Sequence, residues 1–278
     1  MHLDVVGRRR RAATDRTERS LRFEYRLTPL EQYEPWNAER AVSWFELTDG
    51  EQVVRLGEQE IFSSQISVAE EHGQRRWLDY SVVRMWEDLL ELFPYAKEPV
   101  PREIARRLDP GAGWDSWRDQ AWKVIDAADG SMAAELEEAF NWGRRRTLDV
   151  GHLVAAPRLT FARVDDIVIV TCEPRGDTSA MGWHWLCEPA RVELPLQSLV
   201  DEVERFSRTL LAEMAQRVAA SGAGALAGRA IVDLTSLNAQ HVRREEQLAA
   251  ALRAVASEDE GWDRISHALH ALDRAIGQ

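Results

Sequence analysis

Cysteine and lysine are scarce in this chain of 278 residues, and each scarcity limits what the protein can be. Two cysteines, Cys172 and Cys187, cannot form the disulfide framework of a small secreted protein, so a reducing cytoplasm is the simplest location. Lys97 and Lys123 are the only lysines among 35 basic residues. The others are arginines, an excess that indicates a GC-rich genome more than a particular chemistry.

Long hydrophobic runs are missing as well. No segment has the apolar centre of a signal peptide. The composition, 45% hydrophobic and 29% charged, is that of neither a membrane protein nor a disordered polymer. A globule of this length buries roughly 75% of its extended-chain surface, so it needs no disulfide to fold. The sequence therefore predicts a globular chain with a core of its own.

Charge of one sign dominates the chain, whose formal net charge is −12. Residues 1–26 run against that trend, with eight arginines, including the run at 8–11, and four carboxylates. We expect residues 1–20 to form a disordered basic leader, because charged termini tend to stay unfolded. The acidic remainder would repel nucleic acid and attract a basic protein. We therefore expect another protein as the partner, and neither nucleic acid nor a membrane.

The spacing of apolar residues predicts an α+β fold with two short antiparallel β-meanders and segregated helices. The predicted strands form two groups, at 21–27, 42–47, 51–56 and 60–63, and at 159–162, 167–172, 182–187 and 190–194. Helical spacing marks 82–93, 103–108, 114–128, 131–146, 236–256 and 262–276, and a long amphipathic helix over 196–218 follows the second meander. We expect one α+β domain over 21–222, with 223–278 as a C-terminal helical segment packed on it.

Motifs for catalysis or metal binding are weak. The three glycines of 222–228 follow a helix instead of opening one, so they are not placed to cradle a phosphate. Asp263, His267 and His270 share the helical face opposite the apolar stripe, which favours exposure to solvent over metal ligation. Neither cysteine is predicted to be catalytic, because both are expected in buried positions. We therefore predict no catalytic residue, no metal and no cofactor.

The chain contains 11 tryptophans, an excess that needs a physical account. Trp86 and Trp117 lie on apolar helical stripes, so they are expected in the core. Buried indoles account for most of the others, but surface indoles are common anchors at protein interfaces. Four tryptophans lie in loops or at helix starts and are predicted as interface residues: Trp36, Trp44, Trp114 and Trp262.

Several stretches resemble an uncharacterised, mostly high-GC bacterial family, one of the domains of unknown function. The resemblance rests on LTPL at 27–30, PW at 35–36, WFELTDG at 44–50, YSVVRMWEDLL at 80–90 and EPVP at 98–101. It covers roughly residues 21–275 and leaves out the basic leader. The block around Trp86 is its most specific part. The resemblance implies a shared fold and carries over no activity, because none is assigned to the family.

Two functions from different classes remain as alternatives. The first is a non-catalytic cytoplasmic interaction protein, such as an immunity or defence-associated protein that binds a basic protein. The second is an enzyme of unknown reaction, with its site between the second meander and the helices, near Arg146, His152 and His184. A deep pocket with converging polar groups would favour the enzyme, whereas a filled surface there would favour the interaction protein. The sequence leaves the oligomeric state open.

Overall fold

The computed structural model describes residues 20–36, 39–66, 75–109, 112–148, 150, 156–174, 183–254 and 261–277. The strands in this part of the chain are β1 (Leu21–Leu27), β2 (Gly50–Leu56), β3 (Gln59–Ile61), β4 (Ser63–Ile66), β5 (Arg75–Asp79), β6 (Thr147–Leu148), β7 (Arg158–Val164), β8 (Ile167–Glu173), β9 (Trp183–Trp185) and β10 (Ala190–Pro195). The α-helices are α1 (Val82–Ala96), α2 (Arg102–Ala105), α3 (Trp114–Ala127), α4 (Gly130–Arg144), α5 (Leu196–Gly222), α6 (Leu234–Arg253) and α7 (Trp262–Ile276). The predicted leader lies outside the described residues, apart from Ser20.

The first sheet has the strand order β1-β2-β5-β4-β9, and β3 adds a short pair to β2. All of these pairings are antiparallel. Alternation builds the β1–β2 ribbon, because Leu21 and Phe23 face the core while Arg22 between them is exposed. β1 pairs with β2 over its whole length, so the alternating pattern read from the sequence corresponds to a real register.

The second sheet has the order β10-β8-β7-β6, and the long helix α5 packs against it and against β1. Glu202 pins α5 to the first sheet, because its Oε1 accepts a hydrogen bond from the main-chain N–H of Phe23 at 2.7 Å. The ring of Phe206 stacks on that of Phe23 with the centroids 5.4 Å apart. These contacts confirm the α+β class, with a long helix that follows the strands and connects both sheets.

Two predicted strands are placed differently in the structure. Residues 42–47 end in a 3-10 turn, Glu46–Thr48, instead of a strand. The turn forms because the Glu46 carboxylate accepts hydrogen bonds from the main-chain N–H and the hydroxyl of Ser43, both at 3.0 Å. The strand predicted at 182–187 becomes β9, which pairs with β4 of the first sheet instead of joining the second meander.

The helices follow the predicted spans with small shifts, and one of these shifts is instructive. The predicted span stops at residue 93, before Pro94, but α1 continues to Ala96 with the proline in its last turn. A proline there removes a single main-chain hydrogen bond, which the buried face of α1 compensates. None of the described helices combines the length and the apolar composition that a membrane crossing requires.

Two hydrophobic clusters make up the core. The larger contains residues of both sheets together with α1, α5 and α6. The smaller gathers α2, α3, α4 and α7 against β7. Although the sequence groups α6 and α7 in one segment, 223–278, they pack in different clusters. Lys97 follows the last residue of α1 and joins this helix to α6, because its Nζ donates to the main-chain oxygens of Ala251 and Leu252, both at 3.1 Å, at the carboxyl end of α6.

Candidate functional site

The four predicted interface tryptophans occupy different environments. Trp36 is 52% exposed, and Trp262 is half-buried. Trp44 and Trp114 are buried. The expected surface position is therefore wrong for Trp44 and Trp114, and Trp36 is the member of the group that is most open to solvent.

Trp44 is buried because α6 covers it. Its indole Nε1 donates to Nδ1 of His241 over 3.2 Å, and its main-chain N–H donates to Oε1 of Gln240 over 3.3 Å. The guanidinium of Arg244 lies 4.3 Å from the centroid of the ring. Two side chains of α6 contact the indole and a third holds the main chain of Trp44, so this residue contributes to packing and not to a partner contact.

Trp114 and Trp262 belong to an aromatic group inside the smaller core. Trp114 stacks on Trp117 with the ring centroids 4.8 Å apart and 9° between the planes. The ring centroid of Trp142 lies 5.8 Å from that of Trp114 and 6.2 Å from that of Trp262. Because Trp114 and Trp262 lie at helix starts, we expected them to be exposed. These helix starts lie where α3, α4 and α7 meet, and the indoles fill the space between the helices.

The described residues of the predicted enzyme pocket lie in different parts of the fold. Arg146, which precedes β6 of the second sheet, is fully buried, and its Nη2 donates to Oε2 of Glu98 at 2.6 Å. His184 lies on β9 of the first sheet, opposite Gln65 of β4. His152 lies outside the described residues. The buried ion pair leaves a substrate no access to the Arg146 guanidinium, so this arginine has a structural role.

Two other places in the described part of the chain gather polar side chains. Asp263, His267 and His270 are exposed on α7, in agreement with their spacing. Among the described residues, no group of three or more histidine, cysteine or acidic side chains could hold a metal ion. A groove of about 230 Å³ between α2 and the second sheet contains as many carboxylates as arginines. Most of these charges pair within the groove, as Arg191 does with Asp109 at 2.9 Å.

Trp36 forms a surface aromatic cluster with Phe45, nine residues further along, and with Tyr80, which is distant in the sequence. Its ring centroid lies 6.2 Å from that of Phe45 and 6.3 Å from that of Tyr80, and the centroids of Phe45 and Tyr80 are 6.3 Å apart. Phe45 is edge-on to both other rings, which is a favourable geometry for aromatic side chains. Phe45 and Tyr80 are half-buried, so the triangle presents Trp36 as its outer member.

A buried carboxylate holds the Trp36 loop in place. Glu46 is 6% exposed, and its Oε1 accepts from the main-chain N–H of Trp36 at 3.3 Å. Its Oε2 accepts from Ser43 and, at 3.5 Å, from the hydroxyl of Tyr33. Burial raises the pKa of Tyr33, and the Glu46 carboxylate raises it further, so the hydroxyl stays a proton donor at neutral pH. The tryptophan is thus positioned through its main chain, and its side chain stays on the surface.

Exposed carboxylates flank Trp36 on both sides in the sequence. Glu34 and Glu39 are exposed, and neither forms an ion pair with another described side chain. The neighbouring Arg40 donates from its guanidinium to the main-chain oxygen of Arg229 and keeps its positive charge. The two carboxylates outnumber this one arginine, so the charge of the segment 34–40 is negative, like that of the whole chain. We refer to the three rings and these two carboxylates as the Trp36 surface.

The sequence pointed to Trp36 but not to Phe45, Tyr80 or Glu46. The three stretches at 35–36, 44–50 and 80–90, which carry the family resemblance, meet at this surface. Their meeting depends on the first sheet, where the main-chain N–H of Tyr80 donates to the oxygen of Gly50 at 2.9 Å. No local pattern contains such a pairing, so the resemblance was the one sequence signal for these residues.

Comparison with known proteins assigns the chain to a family without adding an activity. The model of a family of unknown function, DUF5984, matches residues 22–268. The chain belongs to this family. The DUF5984 match includes all residues of the Trp36 surface and confirms the resemblance to a domain of unknown function. No curated protein and no solved structure matches the chain.

Proposed function

We propose that this protein is a non-catalytic cytoplasmic interaction protein that binds a basic protein through the Trp36 surface, as an immunity or defence-associated protein would. The observation that carries the proposal is one indole, 52% exposed, flanked in the sequence by two exposed carboxylates that form no ion pair with the described side chains. This combination offers a hydrophobic anchor and negative charge within one short segment of the chain. The proposed binding involves no cofactor.

An arginine or lysine of the partner would fit this surface in two ways at once. A cation over the face of a tryptophan gains about 0.5–1 kcal/mol at an exposed site and about 2 kcal/mol once water is excluded. Glu34 and Glu39 supply the counter-charge, which strengthens the hydrogen bonds that a guanidinium donates. Tryptophan is also enriched among the few residues that carry most of the binding energy at interfaces.

The net charge of −12 supports the same kind of partner. An acidic surface raises the encounter rate with a basic protein by roughly 10–1,000-fold at low ionic strength, and salt screens the effect. The position of Trp36 is set in advance by the buried Glu46, so little ordering is needed on binding. A pre-ordered, acidic surface is suited to fast and tight binding of a basic protein.

Co-expression with the products of the neighbouring genes tests the proposal. Three forms of the full chain are given an affinity tag and purified together with whatever binds them. They are the unchanged protein, Trp36→Ala, and the matched control Trp122→Ala. Trp122 is 39% exposed on α3, in the part of the fold built on the smaller core. We expect a basic product to be retained by the unchanged protein and by Trp122→Ala, and lost by Trp36→Ala. The proposal fails if no neighbouring product is retained, or if all three forms retain it equally.

A charge variant separates the two parts of the surface. We expect Glu34→Gln combined with Glu39→Gln to slow association with that partner at low salt and to leave dissociation nearly unchanged, because rim charges act mainly on the encounter. Glu58→Gln combined with Glu137→Gln removes the same charge from two other exposed positions and serves as the control. Association and dissociation rates measured by stopped flow at two salt concentrations distinguish the two double variants. Equal slowing in both double variants would assign the effect to net charge instead of to this surface.

A further inference from the structure

The second sheet ends in a strand that is paired on one side. β10 comes first in the order β10-β8-β7-β6, and its partner in the ladder is β8. Its burial alternates along the strand, so one face packs on the core while the other is open to solvent. The outer edge of such a strand presents main-chain donors and acceptors to which another strand can pair.

The hydrogen bonds of the ladder show which residues of β10 point outward. Directly beyond the last pair of the β8–β10 ladder, the main-chain N–H of Leu196 donates to the oxygen of Asp166 at 2.9 Å. Bonded and non-bonded pairs alternate in an antiparallel ladder. The even-numbered residues of β10 therefore bond to β8. The odd-numbered residues, Arg191, Glu193 and Pro195, direct their main-chain groups away from it.

The far side of the sheet has the alternation that this assignment requires. If the even-numbered residues of β8 bond to β10, its odd-numbered residues bond to β7, and the odd-numbered residues of β7 point outward. The main-chain N–H of Phe161 indeed donates to the oxygen of Arg146 at 2.9 Å. The oxygen of Arg163 likewise accepts from the N–H of Val100 at 2.7 Å.

No described residue occupies the outward main-chain groups of Arg191 and Glu193. Both residues are exposed. At the edge of the first sheet, by contrast, the N–H of Phe23 donates to Glu202 and its oxygen accepts from Arg205, so side chains of α5 protect β1. β10 has no such protection among the described residues, and its outer edge is available for pairing.

We propose that β10 pairs with β10 of a second copy of this chain, antiparallel about a two-fold axis at Val192. The four-stranded second sheets of the two copies then join into one continuous sheet. β10 contributes no residue to the Trp36 surface, so the proposal does not depend on the proposed function.

Charge selects this register among those that the hydrogen bonds allow. Because the odd-numbered residues carry the free groups, a self-pairing places odd-numbered residues opposite each other. An axis at residue 192 puts Arg191 opposite Glu193 of the second copy, and symmetry repeats the pair. An axis at residue 191 or 193 would instead face two arginines or two glutamates. Opposite charges across a strand pair stabilise it, whereas like charges destabilise it.

The pairing satisfies all the outward groups that were described as free. Each facing pair of Arg191 and Glu193 exchanges two main-chain hydrogen bonds, and their side chains lie on the same face of the joined sheet. Within one copy, Nη2 of Arg191 already contacts the Glu193 carboxylate at 2.6 Å, so these two side chains are close to the positions that the cross-strand contact needs. An interface limited to one strand edge is small, so we expect a dimer that dissociates on dilution.

Sedimentation equilibrium of the full chain, from low micromolar to near-millimolar concentration, measures the self-association. We expect the average mass to rise from 31.7 kDa towards twice that value. Glu193→Arg and Arg191→Glu each place like charges opposite one another, and each should raise the dissociation constant about tenfold. Glu137→Arg makes the same change of charge as Glu193→Arg at an exposed position of α4 and should leave the constant unchanged.

A mixture of the two charge variants tests the register itself. In a pair formed by one Glu193→Arg chain and one Arg191→Glu chain, opposite charges face each other again at both positions. We therefore expect the equimolar mixture to regain most of the affinity that each variant alone has lost. Misfolding of either variant could not produce this recovery.

Amide hydrogen exchange of the unchanged chain tests the edge without any substitution. We expect the amide hydrogens of Arg191 and Glu193 to exchange rapidly in dilute protein and to become protected in concentrated protein, while that of Val192 is protected in both. A monomeric mass over the whole concentration range would overturn the proposal. So would a dimer that all three variants form equally well, a mixture that associates no better than its components, or exchange at residues 191 and 193 that does not depend on concentration.

Discussion

Replacing Glu46 by alanine is the change that tests most sharply how the Trp36 surface is built. Four hydrogen bonds from described neighbours end on this carboxylate. They come from the N–H of Trp36 at 3.3 Å, the N–H and the hydroxyl of Ser43 at 3.0 Å, and the hydroxyl of Tyr33 at 3.5 Å. Alanine removes both acceptor oxygens, so these four bonds are lost and two main-chain N–H groups lose their acceptor. Because Glu46 is 6% exposed, water can replace the lost acceptors only in part.

The expected change in the free energy of unfolding follows from these hydrogen bonds. A buried donor left without an acceptor costs about 1–3 kcal/mol, and a hydrogen bond to a charged group is worth about 1.5–3 kcal/mol. Relief of the desolvation of the carboxylate offsets part of the loss, so we expect Glu46→Ala to lower the free energy of unfolding by about 2–4 kcal/mol. Tyr33→Phe removes only the longest of the four bonds and should cost less than about 1 kcal/mol.

Urea-induced unfolding followed by circular dichroism measures both variants. The slope of the free energy against urea should not change, because the change is local and the surface exposed on unfolding stays the same. We expect Glu46→Ala to weaken partner binding as well, since the loop that carries Trp36 loses its tether. A Glu46→Ala protein within about 0.5 kcal/mol of the unchanged one would refute the reasoning. So would a Tyr33→Phe protein that is destabilised as much as Glu46→Ala.

Three further changes have definite expected outcomes. Arg146→Met should cost about 3–5 kcal/mol in urea unfolding, because it takes the guanidinium from a buried carboxylate, and adding Glu98→Leu should recover most of that loss. The hydrogen bonds from Arg107 lower the pKa of Asp273, so this carboxylate contributes stability above about pH 4 that is lost as the pH falls. Asp273→Asn should therefore flatten the acid limb of a plot of stability against pH, and an unchanged limb would contradict this. Gly50→Ala should lower the thermal midpoint, because the Cβ of the alanine would clash with a main-chain oxygen of β1. An unchanged midpoint would show that β1 can shift to make room for it.

Local periodicity was enough to predict the elements that bury one face. The alternation of Leu21 and Phe23 with charged residues predicted β1, and the stripe of Leu199, Val203 and Phe206 predicted α5. Both signals are strong because each element packs one face on the larger core. The same spacing also placed Asp263 correctly on the exposed side of α7.

Specific side-chain contacts decide what periodicity could not. Residues 42–47 have the apolar content of a strand, but Glu46 turns the chain back on Ser43, three residues away. Trp44 follows a loop and looks exposed, yet it lies beneath α6, which begins far along the chain. The triangle of rings at Trp36 likewise depends on the register of the first sheet. The last two outcomes are set by partners distant in sequence, which the local pattern does not contain.

Several arginines have a structural role that their number alone did not suggest. Arg217 donates from Nη1 to the main-chain oxygen of Leu47 at 2.8 Å and from Nη2 to that of Thr28. Arg229 donates to the main-chain oxygen of Leu30 at 2.8 Å. These contacts tether the loops around β1 to the helical side of the fold, since a guanidinium offers several donors in a fixed geometry.

If Trp36 anchors a basic protein partner, the affinity of that partner depends on the indole. Isothermal titration of the co-purified partner would compare the unchanged chain with Trp36→Ala and Trp122→Ala. We predict that Trp36→Ala raises Kd at least about 30-fold, equivalent to about 2 kcal/mol, while Trp122→Ala stays within about twofold. Equal Kd values for Trp36→Ala and the unchanged chain would contradict the account.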